Sequence, residues 1–388
     1  MRKCSIFLFL LIICFHLTAS TKKITLELGA DKLTEILSLT KNKRVALVVN
    51  QTSRLSDRTF LVDTLLSSGV DIRKIFAPEH GFRGNADAGA KVGDGKDAKT
   101  GLSIISLYGK NYKPSPDQLS DVDVVIYDIQ DVGARFYTYI STLHYVMEAC
   151  AENKVELLVL DRPNPNDVVD GPVLDPKFRS FVGMHPIPVL YGLTVAELAS
   201  MINGEGWLKG GEQCRLKTIL MSGWKHGQPY SLPVKPSPNL PNDQSIRLYP
   251  SLCFFEGTKV SVGRGTANPF QVVGYPNKKC GEFTFTPQSL PGFDTNPLQK
   301  GNLCYGFDLR KQKQPQGIHL EWLIRFYKLC GLGQSFFSSP GFMDKLAGSD
   351  VLRLQIIQGK TASEIRSSWQ ADLAKYKVLR KKYLLYEL

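Results

Sequence analysis

Short apolar runs alternate with helix-like patterns through the N-terminal half of the chain. Such runs predict buried β-strands at 45–49, 72–77, 103–107, 122–127 and 156–160. Helical periodicity covers about 57–68 and 139–152, and Thr194 with Glu197 forms a capping box that begins a further helix. Strands that alternate with helices predict an α/β fold with a doubly wound, mostly parallel sheet.

The pattern changes near residue 250. Proline and glycine are frequent between 223 and 250, which is typical of an interdomain linker, although the rigid run 235–241 could instead form the wall of a pocket. Strand and loop patterns follow to about 315. Three helices are then predicted, at about 318–330, 342–346 and 361–383, the last with the capping box Thr361–Glu364. We therefore expect an N-terminal domain over 21–250 and a smaller α/β domain over 251–388.

The first 20 residues have the pattern of a secretory signal peptide. Arg2 and Lys3 precede an apolar run over 6–17, and small residues follow at 18–20. An uncleaved anchor is the alternative, but the run is short for a membrane span of ~20 residues. Cys14 lacks the small preceding residues expected before a lipidated cysteine. We expect export to the periplasm or the cell exterior, without stable membrane insertion.

Composition and charge narrow the class of protein. Hydrophobic residues make up 43% and charged residues 22%, which excludes a mainly disordered chain. The formal net charge of +12 falls to +10 without Arg2 and Lys3, and an anionic partner is worth considering. Six cysteines would remain after cleavage. Their wide spacing without a CxxC pair argues against a structural zinc site, so most are expected to be buried thiols.

Polar clusters follow four of the predicted strands. They lie at 50–52, 78–84, 128–135 and 161–165. Because the carboxyl ends of parallel strands meet at one edge of a sheet, where ligands bind, the clusters predict a polar cleft. The alternative is that they are ordinary turn and capping residues.

The residue types in this cleft favour acid/base chemistry. Its carboxylates are Glu79, Asp128, Asp131 and Asp161. Paired carboxylates suit cleavage of a glycosidic bond or a divalent metal. The arginines that accompany them, Arg83, Arg135 and Arg162, argue against a metal because they compete for the same oxygens. The chain lacks HExxH, GxSxG, P-loop and GxGxxG motifs, so no cofactor is expected.

Seven motifs, spread in order over the whole mature chain, resemble one family. They are Ala77–Gly84, Asp128–Tyr139, Leu160–Pro165, Gly171–Leu174, Pro236–Asn239, Phe255–Thr258 and Gly263–Thr266. The family is the NamZ exo-β-N-acetylmuramidases. The resemblance implies a Rossmann-like N-terminal domain, a smaller α/β domain and an active site in the cleft between them. It also implies release of terminal β-linked N-acetylmuramic acid from non-reducing ends of peptidoglycan fragments, with the glutamate of the PEHG motif, Glu79, as the catalytic carboxylate.

Roles for individual residues follow as hypotheses. Glu79 is expected to be the general acid, with Asp128 as second carboxylate and Asp161 behind it. The N-acetyl group of the substrate could instead act as nucleophile. Arg135 or Arg264 could bind the lactyl carboxylate of the muramoyl sugar, although Arg135 could also pair with Asp128 or Asp131.

Further candidates for contacts with the sugar are polar or aromatic residues of the same motifs. Each could equally be packed or part of a turn. They are Asn50, His80, Arg83, Gln130, Tyr137, Tyr139, Arg162, Asn164, Asn239 and Glu256.

Two other functions compete with a muramidase. One is a hexosaminidase of the β-N-acetylglucosaminidase type, which would need no clamp for a lactyl carboxylate. The other is a non-catalytic protein that binds cell-wall saccharides. Nucleic acid is disfavoured as a partner because the chain lacks a basic run with interleaved aromatic residues. The expected partners are saccharides derived from peptidoglycan, and no pattern in the chain defines an oligomeric state.

Overall fold

The computed structural model describes residues 25–82, 93–313 and 315–388. The predicted signal peptide and Arg83 lie outside these residues. The described strands are β1 (Arg44–Val49), β2 (Asp71–Ala77), β3 (Gly95–Lys96), β4 (Ser103–Ser106), β5 (Val124–Asp128), β6 (Glu156–Leu160), β7 (Val169–Val173), β8 (Pro188–Tyr191), β9 (Arg215–Ile219), β10 (Val272–Tyr275), β11 (Phe283–Phe285) and β12 (Cys304–Asp308). The described α-helices are α1 (Leu33–Thr40), α2 (Leu61–Ser67), α3 (Pro116–Leu119), α4 (Tyr139–Asn153), α5 (Val195–Gly204), α6 (Asp243–Leu252), α7 (Glu321–Cys330), α8 (Pro340–Ala347), α9 (Val351–Ile357), α10 (Ala362–Ser368) and α11 (Gln370–Arg380).

A seven-stranded, mostly parallel sheet forms the core of the N-terminal domain. Its order is β3-β4-β2-β1-β5-β6-β9, and only the short edge pair β3–β4 is antiparallel among the described pairings. The chain builds outward from β1 to β2 and β4, then returns across β1 to β5 and β6. This order is the Rossmann-like, doubly wound topology, with the reversal between β1 and β5. The predicted α/β class is confirmed.

The register explains why the polar clusters meet. Val49 at the end of β1 pairs in parallel with Asp128 at the end of β5, and β6 continues the same direction beside β5. β5 is buried along its whole length, as expected for a strand that is covered on both faces. All four predicted clusters therefore begin at one edge of the sheet, as the sequence predicts.

Several elements lie where the pattern predicts none. The helix α6 occupies the end of the proline-rich stretch, with Asn242 as its cap and Pro250 in its last turns. β7 and β8 form an antiparallel hairpin, and β9 extends the large sheet. The single helix predicted over 361–383 is divided into α10 and α11 at Trp369. Both predicted capping boxes are present, at Thr194 and at Thr361.

The C-terminal domain combines a three-stranded antiparallel sheet, in the order β10-β12-β11, with the helices from α7 onward. The last part of the chain returns to the N-terminal domain. The Tyr376 hydroxyl donates to the Tyr191 carbonyl at 2.7 Å, and Tyr386 reaches Asp161 and Met221. The C-terminal tail therefore covers the end of β6, a strand of the N-terminal domain that lies more than 200 residues earlier in the chain.

The six cysteines of the described chain are buried free thiols, and the sulfur atoms of Cys280 and Cys330 lie 3.8 Å apart. Among the described helices, none combines the length and the apolar character that spanning a bilayer requires.

Candidate functional site

A pocket of about 430 Å³ opens beside the carboxyl edge of the large sheet. Three parts of the chain enclose the pocket. They are the turn after β2, the start of α4, and residues between 237 and 270 from the second half of the chain. The lining residues are Glu79, His80, Phe136, Tyr137, Thr138, Tyr139, Ser237, Asn239, Leu240, Tyr249, Arg264 and Phe270. Six of the residues predicted from the sequence are therefore brought together here.

The turn after β2 presents Glu79 to the pocket. The Gly81 amide donates to the Pro78 carbonyl at 3.0 Å, which closes a β-turn with Glu79 and His80 at its centre. His80 is buried and has φ of 70°, a left-handed conformation that is uncommon outside glycine. The surrounding structure must stabilise this strained backbone at His80. Since Glu79 is the preceding residue of the same closed turn, its backbone position is fixed as well.

Two hydroxyl groups hold the Glu79 carboxylate. Thr138 stands at the start of α4, but its hydroxyl donates to Glu79 Oε2 at 2.8 Å and makes no capping bond. The Tyr108 hydroxyl is also hydrogen-bonded to Glu79, and burial together with that carboxylate raises the pKa of Tyr108 well above its ordinary value. The sequence reasoning missed both residues. Tyr108 stands two residues after β4, at the same sheet edge, and this position was the available signal.

Aromatic rings form one side of the pocket. The rings of Tyr137 and Tyr139 lie 4.8 Å apart, and Tyr249 lies 4.9 Å from Phe270. The edge-to-face arrangement of these pairs is the favourable one for aromatic rings. The Tyr139 hydroxyl donates to the Pro236 carbonyl at 3.1 Å, so the ring is attached to the proline-rich run. The run 235–241 therefore forms a wall of the pocket, which is one of the two interpretations that the sequence allows, the other being an interdomain linker.

Arg264 brings a positive charge to the pocket from the second half of the chain. Its Nε donates to Glu256 Oε1 at 2.5 Å, and its guanidinium lies 5.0 Å from the centre of the Phe270 ring. Glu256 raises the pKa of Arg264 further although burial opposes the charge. Within the described residues this is the single hydrogen bond of the guanidinium, so Nη1 and Nη2 remain as donors for a ligand.

The loop around Arg264 requires its glycine. Gly263 has φ of +80°, and a Cβ there would lie 2.5 Å from a methyl group of Val272 and 2.8 Å from the Asn268 carbonyl oxygen. A side chain would thus be strained and would clash, so the loop is shaped by glycine.

Asn239 is the polar residue of the proline-rich wall. Its side chain is 2% exposed, and its Nδ2 donates to the Phe293 carbonyl at 3.0 Å. The Oδ1 of the same amide is buried and meets no donor in the described structure. A buried acceptor without a partner is costly, so a ligand that donates to Asn239 would be favoured.

The structure places Asp128 away from the pocket lining. Arg162 donates to it through Nε at 2.5 Å and Nη2 at 2.8 Å, and both side chains are almost fully buried. Burial raises the pKa of Asp128, while Arg162 opposes that shift. The proposed second carboxylate and one proposed sugar contact are thus engaged with each other.

Asp161 is likewise enclosed in the protein. It accepts from the Ala196 amide at 3.0 Å and from the Tyr386 hydroxyl at 2.6 Å. Burial raises the pKa of Asp161 to about 6. It therefore links β6, α5 and the C-terminal tail, and does not stand behind Glu79 in the pocket.

Arg135 does not contact the pocket, and it pairs with neither Asp128 nor Asp131. Its guanidinium is completely buried and donates to three carbonyls, those of Pro172, Ile187 and Leu346. Burial lowers its pKa to about 9. Of the two candidates for a carboxylate clamp, only Arg264 is placed in the pocket.

Three further candidates hold loops in place. Gln130 donates to the Pro163 carbonyl at 2.7 Å, and Asn164 donates to the Leu193 carbonyl at 3.0 Å. Asn50 accepts from the Thr52 amide at 2.9 Å in a turn after β1. These side chains shape the edge of the sheet without lining the pocket.

No group of three or more histidine, cysteine or acidic side chains in the described chain is arranged to hold a metal ion. The polar groups of the pocket itself are one carboxylate, one guanidinium, an amide, a histidine and hydroxyls. This set suits a small polar ligand with a negative charge and hydroxyl groups, held against aromatic rings.

The fold and the pocket thus define a two-domain α/β protein with a cleft suited to a small polar ligand. Family models give its relationship: the N-terminal domain of the exo-β-N-acetylmuramidase NamZ matches residues 45–244, and the C-terminal domain matches 247–386. The chain belongs to this family.

Individual relatives agree. The chain is 38% identical over 389 residues to the peptidoglycan β-N-acetylmuramidase NamZ of Bacillus subtilis, covering 95% of this chain and 93% of that protein. Two crystal structures of DUF1343 family proteins from Bacteroides fragilis are similar. One is 44% identical with a TM-score of 0.86, over 94% of this chain and 99% of the other, and the second is 30% identical with a TM-score of 0.79, over 93% and 99%.

Proposed function

We propose that this protein is an exo-acting β-N-acetylmuramidase that releases terminal β-linked N-acetylmuramic acid from the non-reducing ends of peptidoglycan fragments. The observation that carries the proposal is the position of Glu79 in a pocket that also presents Arg264 and aromatic rings. The family relationship supports it, since the Bacillus subtilis relative is a peptidoglycan β-N-acetylmuramidase.

In this proposal Glu79 is the general acid. It protonates the glycosidic oxygen as the bond to C1 breaks, and a carboxyl group at the edge of a strand is held in a constant position for that transfer. Thr138 and Tyr108 are proposed as positioning residues, because the hydroxyl groups of both are hydrogen-bonded to Glu79. Of the described residues that line the pocket, Glu79 is the one carboxylate.

We assign the nucleophile to the 2-acetamido group of the substrate. Asp128, the alternative, is engaged by Arg162 through two short hydrogen bonds. Attack by the acetamido oxygen on C1 breaks the bond to the leaving oxygen, which Glu79 protonates, and forms an oxazolinium ion. Water then gives a proton to the Glu79 carboxylate, attacks C1 and opens the ring. Two inversions at C1 would retain the β-configuration. Proton NMR of the first-formed product checks this, since an initial α-anomer would contradict the assignment.

Arg264 is proposed to bind the lactyl carboxylate. Its Nη groups can donate two parallel hydrogen bonds to a carboxylate, which is the geometry that makes arginine selective for such groups. The distinction from a β-N-acetylglucosaminidase rests on this residue, because N-acetylglucosamine lacks the lactyl group. Arg264→Met should therefore reduce activity on muramides and leave any activity on glucosaminides nearly unchanged.

The direct test compares an aryl N-acetylmuramide with an aryl N-acetylglucosaminide as substrates for the purified protein. Preferential release from the muramide supports the proposal. Preference for the glucosaminide would favour the alternative hexosaminidase, and binding without turnover of either would favour a saccharide-binding protein. Glu79→Gln is the loss-of-function variant, and Glu282→Gln, an exposed carboxylate on the C-terminal domain, is the matched control.

We further propose that the protein acts outside the cytoplasm, in the periplasm or at the cell exterior. The signal-peptide pattern of the first 20 residues supports this, and so does a substrate that is part of the cell wall. Fractionation of cells that express the full chain, with the N-terminal residue of the mature protein determined, tests it.

A further inference from the structure

Two cysteines of the C-terminal domain lie side by side, although 50 positions separate them in the chain. The Sγ atoms of Cys280 and Cys330 are 3.8 Å apart, and both side chains are buried. Cys280 ends a short 3-10 helix over Lys278–Cys280, and Cys330 is the last residue of α7. A disulfide bond of about 2.05 Å requires the sulfurs to approach by roughly 1.8 Å, which is a distance that rotation about the two Cα–Cβ bonds can supply.

A third thiol lies near this pair. Cys304, at the start of β12, is completely buried and is close enough to Cys280 for the two groups to interact electrostatically. Its Sγ donates to the Asn302 carbonyl at 3.7 Å. Neighbouring thiols can hold a metal ion, but no group of three or more potential ligands within the described ranges is arranged for one. The chemistry that the pair Cys280–Cys330 offers is therefore that of a dithiol.

The pair also lies close to the protein surface. Lys279, which precedes Cys280, and Gly331, which follows Cys330, are both exposed. Cys150, in contrast, lies within the buried part of the long helix α4. Of these cysteines, Cys280 and Cys330 are thus placed where two elements end next to solvent, and an oxidant can reach them before the last turns of the domain have closed.

We propose that Cys280 and Cys330 form a disulfide bond in the exported protein. The inference rests on the proposed location outside the cytoplasm, where disulfides form and persist, and it does not depend on the catalytic activity. The bond would join the end of α7 to the segment after β10 and close a loop that contains β11 and β12. Such a closed loop restricts the unfolded chain and thereby stabilises the folded C-terminal domain.

The oxidant in this proposal is itself a disulfide, carried by a thiol oxidase or by a small thiol compound. The thiolate of one cysteine attacks a sulfur of that disulfide, forms a mixed disulfide and expels the other sulfur. The thiolate of the second cysteine then attacks the first cysteine's sulfur, forms the Cys280–Cys330 bond and releases the oxidant's remaining sulfur. Two electrons pass to the oxidant, and the protons of the two cysteines end on its two thiols. Because burial raises the pKa of both thiols, the exchange should occur during folding.

Oxidative refolding tests the pairing directly. The purified protein is reduced, unfolded and then refolded in a mixture of oxidised and reduced glutathione. The remaining thiols are alkylated with iodoacetamide in denaturant, the disulfides are reduced, and the thiols thus released are labelled with N-ethylmaleimide. Peptide mass spectrometry should find the second label on Cys280 and Cys330, and the first label on the other four described cysteines.

The melting temperature provides a second measure of the bond. Reduction of the refolded wild type with dithiothreitol should lower it by about 5–10 °C, because the loop is no longer closed. Cys280→Ala cannot form the bond and should melt at the same temperature with and without the reductant. Cys304→Ala is the matched control, a buried thiol of the same cluster, and should keep both the labelling pattern and the effect of reduction. Since each variant is compared with itself, the cost of the lost side chain cancels.

The first label on Cys280 and Cys330 after refolding would overturn the inference, and so would a bond from either residue to Cys304. Protein isolated from the periplasm of an expressing bacterium should carry the same bond, and free thiols at these two positions would contradict it. Failure of the muramidase assay would leave these measurements unaffected. Retention of the protein in the cytoplasm would refute the proposed export and this inference together, whereas free thiols after refolding would refute the inference alone.

Discussion

Two groups of polar residues follow strands of the same sheet, and the structure uses them differently. After β5 and β6, Asp128, Arg162 and Asp161 are fully enclosed and meet partners within the protein. After β2, Glu79 is only half-buried and lines a pocket. The difference comes from what lies above each strand end: α5 and the C-terminal tail cover β6, whereas a cleft remains above β2. Polar residues at a strand end therefore become a site only where no other element covers them.

Glu79→Gln removes the carboxyl group of the open strand end and leaves the enclosed residues intact. The amide cannot protonate the leaving oxygen, so kcat on a muramoyl disaccharide, whose sugar leaving group needs that proton, should fall by about 10²- to 10⁴-fold. The melting temperature should remain close to that of the wild type. Full turnover in this variant would remove Glu79 from the mechanism.

A second prediction concerns the enclosed group. Arg162→Met leaves the buried Asp128 carboxylate without its ion-pair partner, which should reduce the free energy of unfolding by about 3–5 kcal/mol. The double variant Asp128→Asn/Arg162→Met removes both charges and should recover part of that loss. Chemical denaturation measures both. If Arg162→Met instead kept its stability and lost turnover, this pair would belong to the catalytic group.

A smaller effect is expected from the loop that carries Arg264, where one substitution should change both the stability of the protein and its binding of the substrate. Gly263→Ala is strained at φ of +80° and clashes with Val272, so it should cost about 1–3 kcal/mol of stability and displace Arg264. KM for the muramide should then rise more than kcat falls. Gly210→Ala is the control, because Gly210 has a similar φ but nothing within 4 Å of its Cβ position.

A pH dependence of stability is expected from His226, a buried histidine that lies outside the pocket. Its ring nitrogens lie 2.9 Å from Asp167 and from Glu197, with Arg380 3.2 Å away. Although burial opposes the charge, the two carboxylates raise the pKa of His226 to about 9. A raised pKa contributes stability that is full below the ordinary value of 6.5 and is lost as the pH rises through 9.

Unfolding free energies measured from pH 6 to pH 10 should therefore decline by about 1–2 kcal/mol from this residue. The His226→Gln variant should show a flatter profile, and the difference between the two profiles isolates the histidine from other titrating groups. A parallel decline in both proteins would show that another group is responsible.

The elements that the sequence predicts well are those with strong local signals. The inner strands β1, β5 and β6 of the large sheet are nearly continuous apolar runs, and α5 and α10 begin at capping boxes. α6 was missed because proline is read as a helix breaker, yet Pro250 lies in the last turns of that helix. β9 was missed because Arg215 and Lys217 alternate with its apolar residues. β9 lies at the edge of the sheet, where one face of the strand can stay exposed, and this explains the alternating charged residues. That edge position is visible only in the folded sheet.

The α/β class, the polar edge of the sheet and the position of Glu79 could be predicted from the chain, because they follow from local pattern and from the parallel direction of the strands. Which polar residues share a pocket depends on how distant parts of the chain pack together. Arg135 and Arg264 are equal candidates in the sequence, yet one is buried on three carbonyls and the other lines the pocket. Tyr108 and Thr138 reach Glu79 from separate elements. Such choices depend on contacts between residues far apart in the chain, which local patterns do not encode.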